Sequence, residues 1–334
     1  MKIIVQEYGT KITKNGNCLC INNSKQKKMI CSDQIEEIHL CPSCSISTDA
    51  VALCAEKNIW ILCVDKFGNP NGEFLPFSQG CSPIYKRKQL LLAYCEEGIE
   101  IVKGFLEEKI DNRIKQLKKF LKNRKKEEVV SFLKQRIEMM ENELEKIQEV
   151  QGRKISAVRG SLQGYEGAAG RAYFECISLL LPDELQFTQR QRNACDLYNC
   201  TLNYLYGMLY AKIKNVAYKC RLDPYIGIMH VDSYNKPTFV YDFIESERII
   251  CEELAFEICK DKKLVMEDME EIQPGVWRFK TEPKRVLIES FYAKLKEPCI
   301  YKRKTMRIEE RISKRMLETA LKIEQIPDVE LFSA

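Results

Sequence analysis

Residues 161–182 read SLQGYEGAAGRAYFECISLLLP, an apolar run with a glutamate set between glycines at its mouth. The run reads as a buried helix with Glu166 at its entrance, followed at once by Arg171 and two aromatics. Gly164, Gly167 and Gly170 recur every third residue, so one side of the helix lets a neighbouring backbone or a ligand come close. Each glycine costs a helix about 1 kcal/mol relative to alanine, so three of them need a reason. Two readings of Glu166 stay open at this point: an ion-pair partner, or a carboxylate that holds something the protein works with.

Outward from this stretch the chain changes character once. From residue 84 onward helical periodicity dominates. Val130, Leu133, Ile137, Met140, Leu144 and Ile147 alternate three- and four-residue steps, the apolar stripe of a long amphipathic helix. Residues 1–83 read instead as strand-rich. MKIIVQEY and CLCINN flank an NGN turn, which predicts a hairpin, and FGNPNGEF follows the apolar strand NIWILCV as a second turn. STDAVALCAEKN opens with a Ser/Thr/Asp cap and predicts one short helix. Pro83 marks the boundary. The fold class is therefore α+β: a small N-terminal β-sheet domain, 1–83, followed by a larger all-α-helical domain, 84–334.

The composition narrows the function classes. At 334 residues, 45% apolar and 30% charged, the chain has the makeup of a soluble globular protein with room for two cores. It contains no apolar run of the roughly 18 residues a membrane span needs. The start lacks the features of a signal peptide, so a cytoplasmic protein is expected. Sixteen cysteines in such a chain read as reduced thiols. In HLCPSC, His39, Cys41 and Cys44 follow Cys18 and Cys20, but Cys-x-Cys is a poor zinc half-site and plain thiols are the better reading. There is no internal repeat and no GxxxxGK[ST] phosphate loop.

Net charge is only +5, from 53 basic and 48 acidic residues, so its distribution carries more than its sum. Lys115, Lys118, Lys119, Lys122, Arg124, Lys125 and Lys126 run together with no acid among them, and YKRKTMRIEERISKR forms a second basic cluster at 301–315. Such clusters are either solvated faces or stripes that neutralise a nucleic-acid backbone.

Two further stretches carry candidate chemistry. GIMHVDSYNKPTFVYDFIESER places His230, one of two histidines, before a polar turn and a segment with Asp242 and Glu245. If that segment is helical, Asp242 and Glu245 share a face at i, i+3 and Arg248 falls one step on. A lone histidine there is ordinarily a hydrogen-bonded structural residue. With Glu166 and the two acids it makes an oxygen–nitrogen set suited to Mg²⁺ or Mn²⁺ rather than to zinc thiolates. In NACDLYNCTLNYLYGMLYAKI, Asp196, Asn199 and Asn203 read as capping or bridging groups. No histidine other than His230 is placed to serve a Ser or Cys nucleophile.

GYEGAAGRAYFE, then DLYNCTLNYLYGMLY, then GIMH followed by PTFVYDFIESER, resembles in order, spacing and residue type the CRISPR-associated integrase family, Cas1. The resemblance extends over most of the chain. It implies an N-terminal β-domain that forms homodimers and a helical catalytic domain. It further implies Glu166, His230 and Glu245 as metal ligands and catalytic residues, with Asp242 close to the metal. Arg248 and Arg171 would contact DNA phosphate, together with the Lys115, Lys118, Lys119 and Lys122 stripe. The implied activity is Mg²⁺- or Mn²⁺-dependent joining of the 3′-OH ends of short spacer DNA to a CRISPR repeat, with nicking when water attacks. The implied partners are DNA, a second copy of the chain and the small protein Cas2, with no membrane. The alternatives are a catalytically silent DNA-binding subunit and a standalone transposon-type integrase of the same fold. Here the common DLMEEFR is DFIESER, with Ser246 and Glu247 in place of a glutamate and an aromatic, and the cysteine richness lies outside the family pattern.

Overall fold

Short strands rich in Ile, Leu and Val build the first sheet of the N-terminal unit in the computed structural model. The structure describes residues 1–5, 7–65, 70–77, 82–122, 124–191 and 194–327. β1 (Lys2–Val5) buries Ile3 and Val5 and leaves its other residues half-exposed. β2 (Lys11–Asn15) and β3 (Cys18–Asn22) form an antiparallel hairpin, continued by β4 (Lys27–Cys31). β5 (Glu37–Leu40) lies parallel to β1, with Ile3 opposite Ile38. β6 (Ser45–Ile46) adds to β2, and α1 (Thr48–Glu56) begins where the Ser47 side chain accepts from the Ala50 N–H at 3.3 Å. β7 (Trp60–Val64) runs parallel to β5 and pairs antiparallel with β8 (Pro70–Phe74). Two four-stranded sheets result, β1-β5-β7-β8 and β4-β3-β2-β6. Ile12, Leu19, Ile38, Leu53 and Ile61 from both sheets and α1 share one core.

The NGN turn joins β2 to β3, with Gly16 at φ +59, and not the MKIIVQEY strand expected from the sequence. A tight turn pairs only the residues that flank it, here 11–15 with 18–22. β1 lies too far upstream and is recruited by the parallel sheet. The turn residues of FGNPNGEF at 66–69 lie outside the described residues.

The β1–β5 register sets Lys2 against Glu37. The Lys2 ammonium sits 2.6 Å from the Glu37 carboxylate, which is 4% exposed, and His39 Nε2 lies 3.2 Å away. Burial pushes this carboxyl up, but His39 and Lys2 outweigh it and bring it down to about 2. A depressed carboxyl contributes stability above its unfolded value that is lost as pH falls through the folded one. Wild-type stability is therefore expected to fall between about pH 4.5 and pH 2 by about 2–3 kcal/mol more than that of Glu37→Gln. Urea midpoints measured across that range check it: parallel curves for the two proteins would remove the pair from the ledger.

The chain divides into two compact units, Met1–Ser82 and Pro83–Ala334. α2 (Pro83–Leu92) opens the second with proline in its first turn, where the missing N–H is not needed. α3 (Glu96–Lys122), α4 (Glu127–Glu149) and α5 (Ile155–Leu180) pack side by side. The predicted α4 stripe buries Leu133, Ile137, Met140 and Ile147. α6 (Leu197–Lys219) starts at Asp196, whose carboxylate accepts from the Asn199 N–H at 2.7 Å. α7 (Thr238–Ile244) and α8 (Arg248–Lys260) meet through a single 3₁₀ turn, Glu245–Glu247. The hairpin β9 (Met269–Gln273) and β10 (Val276–Phe279), α9 (Thr281–Lys296), the hairpin β11 (Pro298–Tyr301) and β12 (Lys304–Arg307), and α10 (Ile308–Glu324) complete the unit. This unit is mostly helical but not wholly so: the 301–315 cluster, expected within a helical region, opens as a β-hairpin. Among the described residues, no helix is long and apolar enough to cross a membrane.

Candidate active site

α5 carries Glu166 at its midpoint, just before the small residues 167–170, and α3 lies across it with Lys109 on its buried face. The Lys109 ammonium, 5% exposed, bridges Glu166 and Glu245, which brings two carboxylates 79 residues apart in sequence onto one cation. Glu166 remains 27% exposed while Glu245 is 7% exposed, so the pair opens to solvent on the Glu166 side.

Glu245 is delivered by the 3₁₀ turn between α7 and α8. In that geometry residues three apart eclipse, which stacks Arg248 directly over it. The Arg248 guanidinium grips the carboxylate with Nε at 2.8 Å and Nη2 at 2.7 Å, and its face covers the Tyr206 ring at 4.6 Å. Burial pushes the Glu245 carboxyl up, but Arg248 and then Lys109 hold it well below the usual carboxylate range. Arg248, expected at a DNA phosphate, pairs with Glu245 and stays 17% exposed.

His230 is placed by a different device. Asp242 on α7, its side chain 1% exposed, accepts from the backbone N–H groups of Ile228, Met229 and His230 at 2.5, 3.1 and 3.0 Å. Its Oδ1 also lies 2.6 Å from His230 Nδ1. An ionised carboxylate only accepts, so Nδ1 carries the proton, and in the neutral ring that leaves the lone pair on Nε2. The imidazole is 32% exposed, and among the described residues Nε2 meets no hydrogen-bond partner. Gly227 permits this turn: a Cβ there would stand 2.7 Å from the His230 carbonyl oxygen and 2.7 Å from Thr238 Cβ. Arg159 on α5 donates to the Met229 carbonyl at 2.7 Å. Residues 159 and 166 lie two turns apart on one helix face, so α5 itself sets the spacing between the histidine loop and the carboxylate pair.

The structure therefore brings Glu166 and Glu245 together, and sets Asp242 behind His230 with both oxygens occupied by N–H groups. Among the described residues no three His, Cys, Asp or Glu side chains close on one point where they could hold a metal ion. The donor chemistry suits a hard divalent cation, two carboxylates and an imidazole nitrogen, and the carboxylates already converge on a positive charge. That charge is the ammonium of Lys109.

The sequence reading passed over Lys109, Arg113, Arg159 and Glu252. Arg113, also on the buried face of α3, pairs with Glu252 of α8, with Nε at 2.9 Å, and lies over the Tyr173 ring at 4.7 Å. Tyr206 donates to Glu252 at 2.7 Å. A signal was available: Lys109 and Arg113 interrupt the stripe of Val102, Leu106, Ile110 and Leu117, where a solvated lysine or arginine does not belong. Gly164, Gly167 and Gly170 on α5 are less constrained than expected. A Cβ at Gly164 would meet nothing within 4 Å, and those at Gly167 and Gly170 would meet only side-chain atoms at 3.6–3.7 Å. Among the described residues no neighbouring backbone comes within 4 Å of a Cβ at these positions.

The phosphate-contact candidates are dispersed. Lys115 pairs with Asp111 at 2.5 Å and Lys118 with Glu141 at 2.6 Å, so acids from the same and a neighbouring helix answer half of that row. Lys119, Lys122 and Arg171 are exposed. His39 and Cys44 of HLCPSC turn to Glu37 and to the Val5 and Glu7 carbonyls.

A family model described as CRISPR associated protein Cas1 matches residues 3–292 of this chain. The chain belongs to the Cas1 family. Among relatives, the CRISPR-associated endonuclease Cas1 1 of Archaeoglobus fulgidus is 26% identical over 317 residues, covering 90% of each chain. The Cas1-family fold is shared with solved structures of lower identity. A casposase bound to integration product superposes with a TM-score of 0.77 at 21% identity, covering 98% of this chain and 92% of that one. A CAS1 protein from Thermotoga maritima gives 0.77 at 18%, covering 99% and 100%. A Cas6-RT-Cas1–Cas2 complex gives 0.73 at 20%, covering 97% of this chain and 35% of the other.

Proposed function

We propose that this Cas1-family chain joins DNA in CRISPR adaptation, attaching 3′-OH ends of short spacer DNA to a repeat by transesterification and nicking DNA when water attacks. The observation that carries the reading is the convergence of Glu166 and Glu245 on one cationic point in a chain matched to the family over residues 3–292. The relative named an endonuclease and the neighbour bound to integration product support the same chemistry.

Glu166, Glu245 and His230 Nε2 would hold Mg²⁺ or Mn²⁺. Such an ion polarises the scissile phosphodiester and lowers the pKa of the attacking hydroxyl. The chain's own residues do the rest. Asp242 holds the His230 tautomer and ring, Arg248 locks the Glu245 rotamer, and Lys109 keeps the two carboxylates together against their repulsion. Arg171 and the exposed lysines of α3 meet phosphates without reading bases. The N-terminal unit would form the homodimer, and Cas2 would be the protein partner, as in the complex named among the structural neighbours.

The test is strand transfer of a labelled short duplex into a supercoiled CRISPR plasmid with Mn²⁺, with and without Cas2. Glu166→Ala and Glu245→Ala are each expected to lose at least about 100-fold in rate. Full activity in Glu166→Ala would remove this carboxylate from the reaction. The alternative of a standalone transposon-type integrase predicts transfer without Cas2, and the arm lacking Cas2 separates the two.

A further inference from the structure

The β11–β12 hairpin presents Tyr301, Lys302, Arg303, Lys304, Thr305, Met306 and Arg307, four cations and no acid in seven residues. Lys302, Arg303 and Lys304 are exposed, and among the described residues neither Arg303 nor Lys304 has an ion-pair partner. The turn between the strands is two residues long, since Tyr301 pairs with Lys304. Both turn residues take positive φ, Lys302 at 48 and Arg303 at 64, the hand of a type I′ turn.

This is the one place among the described residues where two consecutive non-glycine residues adopt that conformation. Asn-Gly is the relaxed choice for such a turn, and a lysine and an arginine there are strained. A strained conformation that carries charge at the tip of an exposed hairpin points to use of the charge rather than to stability.

The hairpin is also linked to the candidate active site through a chain of polar contacts. Tyr301 donates to Glu318 of α10 at 2.6 Å, and Lys302 pairs with the same carboxylate at 2.8 Å. α10 in turn sends Arg311 and Arg315 to Glu247, which is wholly buried two residues beyond Glu245. Arg315 reaches Glu108 as well, the neighbour of Lys109 on α3.

We infer that the β11–β12 hairpin is a contact for the DNA phosphate backbone, with Lys302, Arg303 and Lys304 neutralising phosphates of a duplex engaged at the site. The inference rests on the DNA-joining function proposed above. Arg303 and Lys304 have no ion-pair partner among the described residues, Lys302 can exchange its exposed Glu318 contact for a phosphate, and such cations read charge and not sequence, so the contact raises affinity for any duplex alike.

The strain supplies a discriminating variant, Lys302→Asn/Arg303→Gly, which relaxes the turn while removing two charges. Its Tm is expected to rise by about 2–5 °C. Its affinity for a fluorescent duplex, followed by anisotropy at several salt concentrations, is expected to fall about tenfold or more at 0.1 M salt. The slope of log K against log[salt] should shrink by about two. Lys304→Gln, at an ordinary strand position, should shrink it by about one without the gain in Tm. Affinity within twofold of wild type and an unchanged slope in both variants would overturn the contact. A wild-type chain that binds no duplex would instead overturn the DNA-joining reading, and the contact with it.

Discussion

Lys109→Met is expected to lower the stability of the metal-free chain by about 3 kcal/mol, within the range measured when one partner of a buried ion pair is removed. The substitution keeps an unbranched stem of nearly the same length, so the loss is mainly electrostatic. Glu245 retains Arg248, but Glu166 then faces a second carboxylate across a half-buried gap with nothing between them. The same removal of a competing cation should make the pair a better host for a dication. In thermal melts, Mn²⁺ is therefore expected to raise the Tm of Lys109→Met by several degrees more than that of the wild type. Equal melting in the absence of metal, or an equal response to Mn²⁺, would show that Lys109 does not occupy a cation's place. Because the readout is stability, it holds whether or not the variant joins DNA.

Asp242→Asn is the second large effect, expected to cost at least about 100-fold in strand transfer. Asp242 accepts four N–H groups, three from the backbone of 228–230 and one from the imidazole. An amide has one oxygen and two hydrogens, so at least one donor in that buried turn meets another donor. The His230 tautomer is then no longer dictated, and losing the carboxylate that fixes a histidine's tautomer has cost other enzymes about 10⁴ in rate. Metal affinity measured by calorimetry is expected to drop about 10–100-fold, the effect of losing an orienting partner rather than a ligand. Retention of wild-type transfer would assign the His230 orientation to some other contact. Complete loss of Mn²⁺ binding would make Asp242 a direct ligand.

The legibility of the fold followed the range of the forces involved. The helix at 48–56, with its serine cap, and the α4 stripe were readable because both are set by residues within a few positions of each other. The NGN turn was readable for the same reason, whereas the partner of β1 was not. A parallel neighbour is chosen by burial across the sheet and leaves no local mark. The hairpin at 298–307 was hidden by its lysines and arginines, which suit a helix surface as well as a strand edge.

At the candidate site, sequence by itself determined the chemical types. The pattern around Glu166, the GIMH segment and the i, i+3 spacing of Asp242, Glu245 and Arg248 marked the Cas1 family and the acids and histidine worth testing. Only the tertiary structure assigned their parts. It turned Asp242 to the histidine loop, gave Arg248 to Glu245 and placed Lys109 between two carboxylates from different helices. The physical reason is that a charge near the core must find its partner wherever packing brings one within hydrogen-bond reach, and packing joins residues the chain keeps far apart.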